Sequence, residues 1–146
     1  MGATMPNEVR ESLEQILHYL REDEKNNYMA VEPEDRAGHI FTAILAVEVW
    51  LYGPLEDGKF PLGTVVATPG ALALMEKSAE APAKFLRRHI AGDWGDVNDE
   101  DQQENETSLR EGFRLLSAYQ TQAGERLWVI TEADRSVTTI LVPSEY

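Results

Sequence analysis

Along the first twenty positions Val9, Leu13, Ile16, Leu17 and Leu20 recur at spacings of 4, 3, 1 and 3, the pattern of a helix with one buried face. That predicts a helix capped by Asn7 and running to about Glu22. Asp23-Glu24-Lys25-Asn26-Asn27 reads as a polar turn, and Glu32-Pro33 opens a second helix, because proline suits a first helical position. Ile40, Phe41, Ile44, Leu45, Trp50, Leu51 and Tyr52, with Glu48 among them, spread over more than one face. A central core helix is expected. Gly53-Pro54 ends it, since glycine accepts the left-handed conformation after a helix and proline cannot continue one.

Beyond a loop over 55–59 the period changes. Leu62 to Ala67 reads as a short strand, Thr68-Pro69 as a cap with proline behind it, and Ala71 to Lys77 as a short helix. Pro82 opens another helix with Phe85, Leu86, His89 and Ile90 on one side and Lys84, Arg87 and Arg88 on the other, ended by Gly92. Asn98-Asp99-Glu100-Asp101 places a cap and three acids where they complement the positive end of a helix dipole. This helix runs through Glu111 with Leu109 as its main core candidate, so it is expected on the surface. After Gly112, three β-rich runs follow, Phe113 to Gln120, Leu127 to Glu132 and Val137 to Val142, separated by turn-like tetrads. Connections this short require antiparallel neighbours.

The elements predict an α+β fold in one domain over 1–146, made of an N-terminal helical pair (7–53) and an α+β core (62–146). N-terminal and middle helices pack on one face of a three- to four-stranded antiparallel sheet that ends in a C-terminal β-meander. A chain of 146 residues with 42% hydrophobic content is long enough to bury such a core.

Charge narrows the partners. The net charge of −13 is segregated: residues 1–58 carry −8, 59–92 carry +3 and 93–146 carry −8. Phosphate would be repelled, so direct nucleic-acid binding is disfavoured and a protein partner with a basic surface is favoured. The sequence contains no cysteine, which excludes disulfides, thiolate metal sites and a Cys nucleophile. No apolar run approaches the length of a membrane span and no secretory pattern opens the chain, so a soluble cytoplasmic protein without membrane association is expected.

Three groupings carry candidate chemistry. His89 with Asp93 and Asp96 joins an imidazole to carboxylates, the makings of a hard-metal site or an activated water, although a further ligand would have to come from elsewhere in the fold. Against this stands a structural role for His89 at a helix end, with Trp94, flanked by Gly92 and Gly95, as a core plug. Thr131-Glu132-Ala133-Asp134-Arg135-Ser136 is the second grouping, a turn that presents Glu132, Asp134 and Arg135 or else is built by its own side chains. Ser117, Thr131 and Ser136 have no assured base for nucleophilic catalysis, no glycine-rich phosphate loop is present, and no cofactor is implied. The third grouping is electrostatic. Asp99, Glu100, Asp101, Glu104, Glu106 and Glu111 set carboxylates along one rigid helix, which either imitate a phosphate track or only solvate that face, and the candidate interaction surface comprises Trp94, Asp96, Asp99, Glu100, Asp101, Glu104, Glu106 and Arg135.

Thr68-Pro69-Gly70-Ala71, Arg88-His89 with Gly92-Asp93-Trp94-Gly95-Asp96, Asn105, Ser117-Ala118-Tyr119, the run Leu127 to Thr139, and Pro143 to Tyr146 together resemble a family of small uncharacterised proteins carried on bacterial plasmids and integrating elements. The resemblance spans about residues 62–146 and implies a mobile-element context, but no activity or catalytic residues. Some members carry a label linking them to type I restriction systems. A methyltransferase role is not expected here, because the chain is too short for that domain and lacks both a glycine-rich cofactor loop and an Asn-Pro-Pro-Tyr motif.

The favoured expectation is a non-enzymatic acidic interaction protein of a mobile element that antagonises a host defence or DNA-processing factor. A small metal-dependent hydrolase or nuclease around His89, Asp93 and Asp96 is the second reading. A homo-oligomeric accessory protein with a structural role is the third.

Overall fold

The computed structural model describes residues 7, 11, 14, 41, 44–51, 53, 55 and 58–146. The chain divides into two compact units, Met1–Pro54 and Leu55–Tyr146.

In the first unit Asn7, Glu11 and Glu14 are helical and exposed, a polar stripe at spacings of 4 and 3. Asn7 lies within the helix instead of outside its first turn. Residues 44–51 are helical, and Phe41, Ile44, Glu48 and Leu51 are buried at spacings that place them on one face. Trp50 departs from the core role expected of it. It is 56% exposed because it falls on the opposite side from that face. The amide of Gly53 returns to the carbonyl of Val49 at 2.9 Å with φ +103°, the helix stop expected there. The remaining expectations for this unit, including the apolar stripe from Val9 to Leu20, Pro33 as helix opener and the packing of an N-terminal pair on a sheet, lie outside the described residues.

The second unit is α+β. Its elements in order are β1 (Thr64–Ala67), α1 (Pro69–Ser78), α2 (Pro82–Ile90), α3 (Asp99–Glu111), β2 (Leu115–Gln120), β3 (Arg126–Thr131) and β4 (Val137–Leu141), closed by a 3-10 turn over Pro143–Glu145. The sheet order is β1-β4-β3-β2. β2, β3 and β4 form the expected antiparallel meander. β1 corrects the expectation of an all-antiparallel sheet, since it pairs parallel with β4 in the register Thr64 to Val137. Three helices and two strands separate the two, ample for the crossover that a parallel pair requires. Gly63 admits this pairing: at φ +65° a Cβ there would lie 2.3 Å from the carbonyl oxygen of Ser136, the same oxygen that accepts the Thr64 amide at 2.9 Å.

The helix boundaries follow local chemistry. Thr68 caps α1 by accepting from the Ala71 amide at 3.3 Å, and Pro69 occupies the first turn. Glu145 reinforces that helix start through the Thr68 hydroxyl and the Gly70 amide, the latter at 2.9 Å. These bonds, Thr68 first, hold its carboxyl below the usual range. Asn98 caps α3 through the Asp101 amide at 2.7 Å, and Gly112 ends it at φ +78°. Leu109 is not the main core residue of α3. It is half-exposed, whereas Asn105 and Ser108 are buried.

Alternation along the strands sorts one face of the sheet. Leu115, Ser117, Tyr119, Leu127, Val129, Thr131, Thr138 and Ile140 are all buried and share that face by register. α2 lies against it with Phe85, Leu86, His89 and Ile90 buried, which is the face its periodicity predicts.

Candidate interaction surface

α2 delivers His89 into the core. Its Nδ1 lies 2.6 Å from Ser117 Oγ and its Nε2 lies 2.9 Å from Thr131 Oγ1. Thr131 Oγ1 is 2.7 Å from Thr138 Oγ1, which is 2.7 Å from the Leu62 carbonyl oxygen. A carbonyl only accepts, so Thr138 donates to Leu62 and must itself accept from Thr131. Thr131 then accepts from an Nε2–H, leaving Nδ1 to accept from Ser117. The chain of bonds fixes a proton on Nε2, and the burial of the ring keeps the imidazole neutral. Burial, assisted by the charge of Arg135, drives the His89 pKa down to about 3, in agreement with that assignment. Phe60 and Trp94 each meet the ring edge-on, at 5.1 and 5.8 Å between centroids.

His89, Asp93 and Asp96 do not converge. Asp93 forms an ion pair with Arg88 at 2.6 Å and accepts from the Gly95 amide at 3.2 Å. That pairing lowers the pKa of Asp93 and raises that of Arg88. Asp96 is exposed. Both imidazole nitrogens are engaged in the core, so the ring offers no lone pair to a metal in this arrangement. Ser117 and His89 are close enough for a nucleophile and base. Both are fully buried, however, and no substrate atom can approach them.

The segment after α2 crosses to the edge of the sheet. The Trp94 carbonyl accepts from the Ala118 amide at 3.0 Å, and the Asp96 amide donates to the Ala118 carbonyl at 2.7 Å. Gly95 takes φ +71° at the crossing, where a Cβ would lie 2.1 Å from the Ala118 carbonyl oxygen. Trp94 is 4% exposed, stacked on Phe60 at 6.2 Å, with its indole N–H donating to Glu106 Oε1 at 3.0 Å. Tyr119 donates its hydroxyl to the Asp93 carbonyl at 2.6 Å. Burial raises its pKa, and the Arg88 guanidinium lies over its ring at 4.4 Å. Trp94 thus anchors the crossing and is not presented to solvent.

In the turn after β3, Asp134 accepts from the amide and hydroxyl of Ser136 at 3.0 and 2.6 Å. The same bonds lower its pKa. Glu132 receives the Arg114 guanidinium through Nε at 3.2 Å and through Nη2 at 3.1 Å. Arg135, at φ +60°, turns back on the protein and donates to the carbonyls of Phe113 at 2.6 Å, Glu132 at 3.1 Å and Ser108 at 3.1 Å. It closes the C-terminal end of α3, where a cation complements the dipole. Of the residues grouped as an interaction surface, Arg135 and Trp94 therefore hold the surface in place.

What faces solvent is the carboxylate set of α3. Asp99, Glu100, Asp101, Glu104, Glu106 and Glu111 are all exposed, and none forms an ion pair with a described residue. Asn105 docks this helix onto the edge of the sheet, its amide nitrogen donating to the Leu116 carbonyl at 2.8 Å and its amide oxygen accepting the Leu116 N–H at 3.0 Å. Two backbone groups of an edge strand are satisfied without apolar burial, which explains how so acidic a helix packs at all. Grooves flank it on both sides. Trp94, Asp99, Gln102, Glu106 and Arg110 line one; Asp101, Glu104, Asn105, Phe113, Arg114 and Leu116 line the other.

Among the described residues no group of three or more His, Asp or Glu side chains is placed to hold a metal ion, and no helix is long and apolar enough to cross a membrane. Comparison with family models, with curated proteins and with solved structures gave no match.

The sequence did not reveal the roles of Asn105, Arg135 or Phe113. For the hydroxyl chain a clue was present: Ser117, Thr131 and Thr138 are the polar residues at inward positions of the meander, and His89 is the polar residue on the apolar face of α2.

Proposed function

We propose that this chain is a non-enzymatic acidic interaction protein of a mobile genetic element, which uses α3 to occupy the basic surface of a host defence or DNA-processing factor and so antagonise it. The observation that carries this reading is the set of exposed carboxylates on α3, held by Asn105, Arg135 and the Trp94–Glu106 bond yet paired with no described cation. A helix fixed through its middle and its C-terminal turn presents its charges in one geometry, so a partner gains charge complementarity without first ordering them. The mobile-element context rests on the resemblance over residues 62–146.

Affinity capture from cell lysate at low and moderate salt tests the proposal. Wild-type chain should retain a basic protein that duplex DNA displaces. A variant carrying Glu100→Gln, Asp101→Asn, Glu104→Gln and Glu111→Gln should not. Equal retention by both chains, or none by either, would remove the basis for this function.

A further inference from the structure

The groove between α3 and the start of β2 differs from the rest of the acidic surface in having an apolar floor. Gly112 turns the chain out of α3, and the strand begins only at Leu115, which leaves Phe113 outside the sheet and 57% exposed. This is a built position and not a frayed end. The Phe113 carbonyl is held by Arg135 at 2.6 Å, and its amide returns to the Ser108 carbonyl at 3.1 Å. Leu116, whose backbone Asn105 clamps, completes the floor. On one rim stand Asp101 and Glu104, three residues apart on α3 and therefore neighbours on its surface. On the other stands Arg114, whose charge is met by Glu132 at 3.1 Å and whose Nη1 donates to Tyr146 at 3.0 Å. The groove is therefore apolar below and negative at its α3 rim. At about 460 Å³ it falls within the roughly 300–1,000 Å³ of small-molecule binding clefts and has room for a long side chain with part of its backbone.

Resting on the reading of α3 as the surface for a basic partner, we infer that this groove takes an arginine side chain from an extended segment of that partner, its guanidinium between Asp101 and Glu104 and its stem over Phe113 and Leu116. Arginine suits both halves of the site. Its planar fork bonds carboxylates in pairs and stacks on an aromatic face, whereas lysine brings only a compact, strongly hydrated charge. An apolar residue beside the arginine would cover what remains of Phe113.

The test is an NMR titration of the full chain with three blocked peptides of equal length, alternating leucine with arginine, with lysine or with citrulline. The arginine peptide should bind about tenfold more tightly than the lysine peptide and shift amides within 101–116, while the citrulline peptide should bind weakest. Phe113→Ser, and separately Asp101→Asn with Glu104→Gln, should each erase that preference. Glu11→Gln with Glu14→Gln, equal in charge change, exposed, and outside both the groove and α3, should leave it in place. All of these side chains are exposed, and unchanged amide positions in β3 and β4 establish that the fold survives. Equal binding of the arginine and lysine peptides, insensitive to Phe113→Ser, would overturn the groove while leaving a diffuse acidic surface standing. Failure of both cationic peptides to bind would overturn the two readings together.

Discussion

Replacing Thr131 by valine changes the shape of the side chain little and removes one oxygen from the middle of the buried chain that joins Leu62, Thr138, Thr131, His89 and Ser117. The His89 Nε2–H then loses its acceptor at 2.9 Å, and Thr138 loses the proton it accepts at 2.7 Å. An unsatisfied buried donor costs about 1–3 kcal/mol, and the second lost bond adds about 0.5–1.5 kcal/mol. The imidazole has one escape: it can move its proton to Nδ1 and donate to Ser117, which exchanges an unsatisfied donor for an unsatisfied acceptor and sets the lower end of the range. A loss of roughly 2–4 kcal/mol is expected, a large share of the typical 5–15 kcal/mol of a domain. Urea titration read from the amide resonances of Leu127 to Val129 measures the unit that carries the network, and its midpoint should fall by about 1–2 M without a change in slope. Thr139→Val, on the opposite face of the same strand pair, serves as control and should stay within about 0.5 kcal/mol. A Thr131→Val midpoint indistinguishable from that control would refute the assigned proton directions and the neutral, Nε2-protonated imidazole with them.

Because the folded-state pKa of His89 is lowered from 6.5 to about 3, the unfolded chain binds a proton that the folded chain refuses at pH values between the two. Stability should therefore be full above pH 6.5 and fall as pH drops, by about 2 kcal/mol between pH 7.5 and 5; His89→Gln should lack this part of the slope when the two unfolding curves are compared. Gly95→Ala places a Cβ against the Ala118 carbonyl in a left-handed backbone conformation and should cost about 2–4 kcal/mol, with faster exchange of the Ala118 amide as the local readout. Asn105→Ala strips both side-chain bonds from Leu116 and should accelerate exchange of the Leu116 amide while destabilising by about 1–3 kcal/mol.

Features set by neighbours in sequence were legible before the fold was known. The spacing of Phe85, Leu86, His89 and Ile90 identified the buried side of α2; Thr68-Pro69, Asn98 and Gly112 marked helix ends, since a cap depends on residues within one turn. The meander followed from its short connections. What escaped was set by pairing at a distance. Nothing near Val65 announces that it will lie beside Thr138. Phe113 has the composition of a strand residue but precedes the first ladder position. Arg135 looks like a displayed charge until the C-terminal carbonyls of α3 are brought to it. The candidate catalytic grouping failed for the same reason: adjacency along the chain put His89 near Asp93, while the helix turned one into the core and the other toward Arg88.

On the function proposed above, the carboxylates of α3 bind a basic partner through their fixed geometry. The most direct measurement is the dissociation constant of the captured partner as a function of salt, from about 0.05 to 0.5 M, for wild-type chain and for the variant with Glu100, Asp101, Glu104 and Glu111 neutralised. Wild-type affinity should fall steeply as the charges are screened, and the variant should bind weakly with a shallow salt dependence. Superimposable salt curves for the two chains would mean that the carboxylates of α3 do not carry the binding.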